Sequence, residues 1–280
     1  MPRTTRKSAF AAALTIALAA ASTKGAAVAF ADEFKARYTV SLIGFRIGEV
    51  AATGTLGSGV YKINVNAKLT GVAAMISDVK LGLTSSGSVQ KDRLAPSTYA
   101  TTSANSQGVR TVRMSLDAGN VKSVEIFPPF EEKPDRVPVS EAHKRNIVDP
   151  TSALIMSVPE GEPLVGPAAC DRTIRVYDGY VRFNITLHYA GQKEVAIEGY
   201  SGPVSVCAAR YTPIAGHSRD SKSTKFMAEN KDIEAWLAPV PRAHVVVPLH
   251  VRLMTMAGEA EIDASQFIVE PSGVRAAKTH

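Results

Sequence analysis

In the stretch VYKINVNAKL, residues 60–69, apolar and polar side chains alternate without a break from Tyr61 onward. Every odd-numbered residue from Tyr61 to Leu69 is apolar, and every residue between them is Lys or Asn. Successive side chains of a β-strand point to opposite faces of a sheet, so this stretch predicts a strand with one buried face and one solvated face. Residues 34–42 show the same alternation, with the apolar side chains at even numbers. The pattern indicates an antiparallel sheet.

Similar segments recur along most of the chain. Further strands are predicted at residues 45–56, 81–91, 97–103, 109–116, 121–127, 172–177, 181–189, 194–199, 203–211, 233–237, 243–256 and 258–269. Turns rich in Gly, Asp and Asn join them, as at residues 117–120 and 178–179. Only short helices are predicted, over residues 71–77, 141–146 and 150–158, the last with Asp149 as its N-cap. We therefore predict an all-β fold with a few short helices, in which antiparallel strands form a curved sheet of open-barrel or β-spiral-like architecture.

A proline-rich segment divides the strands into two groups. Four prolines fall between Pro128 and Pro138, which predicts an irregular crossover. This crossover is shorter than the polar linker that two separate domains would need. We therefore predict a single β-rich domain over residues 32–270, made of two strand-rich halves, followed by a disordered tail over residues 271–280.

The first 31 residues have the composition of a secretory signal peptide. Arg3, Arg6 and Lys7 form a positive segment, and residues 9–21 are an almost uninterrupted apolar run that is too short to span a bilayer. Residues 29–31, Ala-Phe-Ala, fit a cleavage site. We expect residues 1–31 to be removed and the remainder to be periplasmic, without lipid attachment and without a membrane-spanning segment. The alternative is an uncut membrane anchor, for which the alanine-rich run is poorly suited.

Removal of the signal peptide would change the charge of the protein. The chain has 32 Lys and Arg residues and 26 Asp and Glu residues, a net charge of +6. Arg3, Arg6, Lys7 and Lys24 lie in the predicted signal peptide and no acidic residue does, so the processed chain has 28 minus 26 charges, or +2. Nucleic-acid binding requires a clustered basic surface, and the sequence predicts none. We expect no nucleic-acid partner.

The chain has two cysteines, Cys170 and Cys207. Disulfides form and persist in the periplasm, which favours a bond between these two residues. A reactive cysteine is the alternative, but neither a Cys-x-x-Cys spacing nor an adjacent His supports it. We predict a Cys170–Cys207 disulfide.

No sequence motif predicts a reaction. The chain contains neither the G-x-S-x-G motif of many hydrolases nor the HExxH motif of zinc proteases, and its six histidines are dispersed. Ser, His and Asp residues are present, so a triad assembled by the fold stays open, but nothing in the sequence places these residues together. We assign no catalytic residue, no metal ligand and no cofactor, and we expect a non-enzymatic protein.

Several short motifs follow one another in a recognisable order. They are Tyr38-Thr39-Val40-Ser41-Leu42, Gly44-x-x-x-Gly48, Ser77-Asp78, Asp92-Arg93-Leu94-x-Pro96-x-x-Tyr99, Asp149-Pro150 with Ser152-Ala153-Leu154, and the segments Cys170–Gly179, Cys207–Gly216 and Ile233–Pro239. In this order they resemble the domain of unknown function 3108 of Gram-negative exported proteins. The resemblance implies a periplasmic β protein with a curved sheet and no assigned reaction, so it supplies no catalytic residue. One departure is Tyr180, at a position that is typically basic in the family.

These features lead to one main functional hypothesis and two alternatives. The main hypothesis is a non-enzymatic periplasmic protein of the cell envelope that binds a lipid-like, hydrophobic ligand or an envelope protein in the concavity of its sheet. For a lipid-like ligand, we predict an apolar lining that includes Phe45, Ile47, Met75, Ile76, Met254 and Met256. The same side chains could instead fill the core. The alternatives are a protein-interaction scaffold without a small ligand and a hydrolase of envelope polymers.

Overall fold

The computed structural model describes residues 31–57, 59–90 and 93–272. Residues 1–30 of the predicted signal peptide and residues 273–280 of the predicted tail lie outside the described residues.

Fourteen strands make up most of the described chain. They are β1 (Ala31–Leu42), β2 (Phe45–Gly57), β3 (Val60–Leu69), β4 (Lys80–Gln90), β5 (Arg93–Asn105), β6 (Gly108–Asp117), β7 (Asn120–Phe127), β8 (Met156–Ser157), β9 (Arg172–Tyr177), β10 (Arg182–Ile197), β11 (Tyr200–Ala215), β12 (Ile233–Val240), β13 (Val245–Thr255) and β14 (Gly258–Ser272). The helices are α1 (Gly71–Ile76), α2 (Pro167–Cys170) and α3 (Lys222–Glu229), with 3-10 turns at Glu141–Lys144, Ser152–Leu154 and Pro241–Ala243.

One antiparallel sheet contains all of these strands. Its order is β7-β6-β5-β4-β3-β2-β1-β14-β13-β12-β11-β10-β9, and β8 pairs with β13 beside this path. The first and last strands are therefore neighbours in the middle of the sheet, and β14 continues two residues into the predicted tail because β1 pairs with it as far as Ser272. In the described part of the chain, β7 and β9 do not pair with each other, so the sheet stays open. The predicted all-β fold with an open, curved antiparallel sheet is confirmed.

The alternation in the sequence decides which face of each strand is buried. Phe34 of β1 and Tyr61 and Ile63 of β3 are almost fully buried, whereas Lys35 and Lys62 are exposed. One core cluster is shared by β1–β3 of the first half of the sheet and β11–β14 of the second half. A second cluster lies within the second half, and a third joins β5 and β6 to Ile147 and Tyr177. Full burial of a side chain such as Ile63 contributes about 1.5 to 3 kcal/mol relative to exposure.

Residues 146–158, called the inner segment below, lie between the two ends of the sheet. The N–H of Ile147 donates to the carbonyl oxygen of Gly119 in the β6–β7 turn, at 2.9 Å. The N–H of Val148 donates to the carbonyl oxygen of Arg175 in β9, at 2.8 Å. The inner segment thereby connects the β6–β7 turn with β9. These parts belong to the two ends of the sheet, which do not pair with each other.

The inner segment is less helical than its sequence predicts. Instead of the predicted helix over residues 150–158, only Ser152–Leu154 forms a 3-10 turn. The helix stops there because β8 begins at Met156 and pairs with β13. Val158 is fully buried, and its N–H donates to the carbonyl oxygen of His244 at 3.2 Å. Tertiary pairing thus overrides the local helix signal.

Arg136 anchors the proline-rich crossover to the second half of the sheet. Its guanidinium lies 3.9 Å from the centre of the Tyr180 ring. Its Nη2 donates to the carbonyl oxygen of Tyr180 at 2.8 Å, and its Nε donates to that of Gly216 at 3.1 Å. The guanidinium of Arg136 therefore lies beside Tyr180, the position that is typically basic in the family that the sequence resembles.

Gly216 is required where the crossover meets the second half of the sheet. Its φ is +84°, and a Cβ atom on it would lie 2.1 Å from the carbonyl oxygen of Tyr180. Gly161 is a matched control, because its φ is +87° and nothing lies within 4 Å of its Cβ position. We expect Gly216→Ala to lower the free energy of unfolding by about 3 kcal/mol, and Gly161→Ala by about 1 kcal/mol. Chemical denaturation measures both, and equal losses would contradict the close contact.

Candidate functional site

An apolar cavity lies in the middle of the sheet, where the two halves meet, and against the inner segment. Its volume is about 150 Å³. Strands β1, β2, β3, β13 and β14 supply most of its wall, and the inner segment supplies the rest. The lining residues are Phe34, Tyr38, Val50, Ala52, Ile63, Val65, Leu154, Ile155, Val247, Pro248, His250, Val251, Ile262 and Phe267. These residues make the wall almost entirely hydrocarbon, which favours an apolar guest.

The hydroxyl of Tyr38 is already occupied by a contact within the protein. It donates to the carbonyl oxygen of Pro248 at 2.9 Å. Burial raises the pKa of Tyr38 to about 12, so the phenol is neutral at physiological pH. Tyr38 therefore presents its ring to the cavity without adding a charge.

His250 is the titratable residue of the lining besides Tyr38, and it is held from two sides. Its Nδ1 lies 2.6 Å from Oδ1 of Asp263. Its ring packs on the ring of Trp236, with centroids 4.1 Å apart. Trp236 in turn donates from Nε1 to Glu234 at 2.7 Å, and Nζ of Lys193 lies 4.1 Å from its ring centre. These contacts hold the imidazole in place, where it forms the polar edge of the cavity. Among the described hydrogen bonds, none joins His250 to a Ser, Thr or Cys nucleophile.

A buried polar cluster lies where the inner segment meets the sheet. Asp149 is fully buried and accepts hydrogen bonds from the N–H groups of Thr151 and Ser152, both at 2.9 Å. Its Oδ2 also accepts from the hydroxyls of Ser152 and Ser85, the latter at 2.9 Å. Tyr61 and Ser152 are joined through their hydroxyl oxygens at 2.7 Å.

The burial of this cluster decides its role. Burial raises the pKa of Asp149, although four donors favour its charged form. Burial likewise raises the pKa of Tyr61 to about 12. Asp149, Ser152, Ser85 and Tyr61 are each at most 2% exposed, and their polar atoms are paired with one another. The residue types are those of a catalytic set, but the arrangement holds the inner segment against β3 and β4.

Cys170 and Cys207 lie at disulfide-bonding distance. Their sulfur atoms are 1.92 Å apart and their Cα atoms are 5.5 Å apart. Cys170 ends α2 and Cys207 lies in β11, and both are fully buried in the core of the second half of the sheet. The structure therefore brings together the two residues that the sequence paired.

The structure places the predicted apolar lining elsewhere. Phe45, Met75 and Met256 are 75%, 86% and 61% exposed, and Ile47 and Met254 are partly buried near strand ends. None of these five borders the apolar cavity, because each lies at or beyond the end of the strands whose middle parts line it. Ile76 ends α1, and its side chain lies outside the described residues.

The residues that do line the cavity carried a signal in the sequence. Phe34, Tyr38, Ile63 and Val65 occupy the apolar positions of the two most regular alternations in the chain. The contribution of Leu154 and Ile155 had no such signal, because it depends on the path of the inner segment.

Comparisons with known proteins place the chain in a family. A search of curated proteins finds no match. The chain is similar to a crystal structure from Brucella abortus, a beta-barrel-like protein of domain of unknown function DUF1849, with a TM-score of 0.48 and 11% identity, over 85% of this chain and 97% of that chain. Among the described residues, no helix combines the length and the apolarity that a membrane crossing needs. The model of the family described as "Protein of unknown function (DUF3108)" matches residues 37–265. The protein therefore belongs to the DUF3108 family.

Proposed function

We propose that this protein is a non-enzymatic periplasmic protein of the cell envelope that binds the apolar part of a lipid-like ligand. The observation that carries the proposal is the apolar cavity, whose wall is hydrocarbon apart from the margin formed by His250. Leu154 lies at this cavity and is 41% exposed, so the site has a side open to solvent. The signal-peptide pattern of residues 1–31 supports the periplasmic location.

The size of the cavity suits the end of an alkyl chain rather than a whole lipid. At about 150 Å³, it is smaller than the roughly 300 to 1,000 Å³ of pockets that enclose entire ligands. A cavity of about this volume lined by aliphatic and aromatic side chains accepts a guest such as benzene. The rest of the ligand would lie along the inward side chains of Val40, Leu42, Leu69 and Leu81, which are partly buried between the cavity and the strand ends.

Filling the cavity is the direct test of this proposal. Ala52 lines the cavity, so Ala52→Phe would occupy the space of a bound chain end. Ala142 is exposed in the 3-10 turn Glu141–Lys144 and does not line the cavity, which makes Ala142→Phe a matched control. We expect palmitate to bind the wild-type protein and the control equally, and to bind Ala52→Phe about tenfold more weakly, since displacing two methylenes costs about 1.6 kcal/mol.

Native mass spectrometry with palmitate titration measures these affinities, and circular dichroism checks that both variants fold. Equal binding by Ala52→Phe and the wild type would contradict the assignment of the cavity. Absence of palmitate binding by the wild type, together with a stoichiometric protein partner captured by crosslinking in intact cells, would favour the interaction scaffold instead.

A further inference from the structure

Most of the large apolar side chains that are exposed lie at one end of the sheet. Among the described residues, eight large apolar side chains are classed as exposed. Six of them form what we call the apolar rim: Ile43, Phe45, Met75, Val109, Phe127 and Met256. The other two are Val60, at the opposite end of β3, and Leu154, in the inner segment.

The strand order brings the six residues of the rim to the same end. In an antiparallel sheet, the β1–β2, β5–β6 and β13–β14 turns, the segment after β3 and the end of β7 all face one way, because neighbouring strands alternate in direction. Two of these turns are in direct contact, since the N–H of Ile43 donates to the carbonyl oxygen of Glu259 at 2.7 Å. Helix α1 is tied to the same end by a bond from the N–H of Thr70 to the carbonyl oxygen of Ile47, at 2.9 Å.

A basic groove lies on the outer face of β1–β5, next to the rim. Its volume is about 700 Å³, and Arg37, Arg46, Lys68 and Lys80 line it together with a single acid, Glu49, which gives four minus one charges, or +3. Glu49 is paired with Arg46 at 3.5 Å.

Lys68 and Lys80 face each other across β3 and β4. Like charges directly opposite each other destabilise a sheet, and neither lysine has an ion pair within the described chain. Anionic groups outside the protein would relieve this repulsion. Two acids of the neighbouring turns are engaged already, since Glu259 pairs with Arg252 at 3.1 Å and Asp78 accepts a bond from the N–H of Ser106 at 2.8 Å. Glu131 and Glu132, which follow Phe127, are exposed and belong to none of the ion pairs of the described residues.

We propose that the apolar rim docks on the surface of an anionic phospholipid bilayer, with the basic groove facing the headgroups. Apolar side chains on separate strand ends suit a fluid layer into which each inserts by itself, and insertion is reinforced by basic residues near an anionic surface. The inference rests on the proposed lipid-like ligand, because the inward residues between the cavity and the rim, such as Leu42 and Leu69, would then continue into the membrane.

Co-sedimentation with vesicles tests the docking. We expect the purified protein to bind phosphatidylglycerol vesicles, and to bind phosphatidylcholine vesicles weakly. The triple variant Phe45→Ser, Met75→Ser, Met256→Ser is expected to lose at least about tenfold in partitioning, whereas Val60→Ser, a change of the same kind at the opposite end, leaves it unchanged. Lys68→Gln and Lys80→Gln are each expected to weaken binding by about fivefold and to reduce its salt dependence.

Three results would overturn the docking surface. The first is a wild-type protein that does not bind phosphatidylglycerol vesicles, and the second is a triple variant that binds them as the wild type does. The third is a wild-type dimer in sedimentation velocity that the triple substitution abolishes, because this would assign the rim to a second copy of the chain. Palmitate binding measured without vesicles separates this test from that of the cavity. The triple variant is expected to keep palmitate binding, so a loss of vesicle binding without a loss of palmitate binding tests the rim. Loss of palmitate binding by Ala52→Phe tests the cavity.

Discussion

Replacing Asp149 by alanine is expected to lower the free energy of unfolding by about 3 to 5 kcal/mol. The carboxylate accepts four hydrogen bonds inside the protein, from two backbone N–H groups and from the hydroxyls of Ser152 and Ser85. Alanine would leave these donors buried without a partner, in the segment that bridges the two halves of the sheet. Urea denaturation monitored by circular dichroism measures the loss, and a change below about 1 kcal/mol would show that the cluster does not hold the inner segment.

Asp149→Asn removes the charge but keeps one carbonyl oxygen, which can accept from the N–H groups of Thr151 and Ser152 as Oδ1 does. Its Nδ2 would donate to the hydroxyls of Ser152 and Ser85, which in the wild type donate to Oδ2. Burial raises the pKa of Asp149 in the folded protein above its ordinary value of 3.8. A raised folded-state pKa contributes stability that is fully present below the unfolded pKa and is lost as the pH rises through the folded pKa. We therefore expect the wild type to lose stability relative to Asp149→Asn as the pH rises above about 4. A constant difference between the two proteins over this range would contradict the buried carboxyl.

Breaking the Cys170–Cys207 bond is expected to lower the free energy of unfolding by about 4 kcal/mol in the chain-entropy model. The two cysteines are 37 residues apart, and the bond ties α2 to the centre of β11. Reduction by dithiothreitol should therefore lower the denaturation midpoint of the wild type. The double variant Cys170→Ser, Cys207→Ser is the control, and its midpoint should not respond to the reductant.

Free-thiol labelling checks the same bond independently. Protein that is purified and denatured without reductant should react at neither cysteine. Modification of both Cys170 and Cys207 under these conditions would contradict the bond.

The sequence predicted the strands well because their signal is local. The alternations of residues 34–42 and 60–69 are each set by neighbouring residues, and the buried faces of β1 and β3 follow from them directly. The open, curved sheet was predicted from the number of strands, and the single domain from the short proline-rich crossover. The pairing of β1 with β14 was not predictable from either, because it joins the two ends of the described chain.

The functional residues were harder to predict because burial depends on position along a strand as well as on residue type. Phe45, Met75 and Met256 have the right chemistry for a lining, but they lie at strand ends and are exposed. Asp149 was expected to cap a helix, and it does bind the N–H groups of Thr151 and Ser152. Its contact with Ser85, 64 residues away, has no local signature and converts a helix cap into a link between the inner segment and the sheet.

The central claim, that the cavity receives an apolar chain, is tested most directly through the single tryptophan of the protein. Trp236 packs on His250, which borders the cavity, so its fluorescence reports on the site. Bromine quenches indole fluorescence only at short range. We predict that a palmitate brominated near its methyl end quenches Trp236 saturably in the wild type and in Ala142→Phe but not in Ala52→Phe. Unbrominated palmitate is expected to quench none of them. Binding of the brominated acid without quenching of Trp236 would contradict the claim.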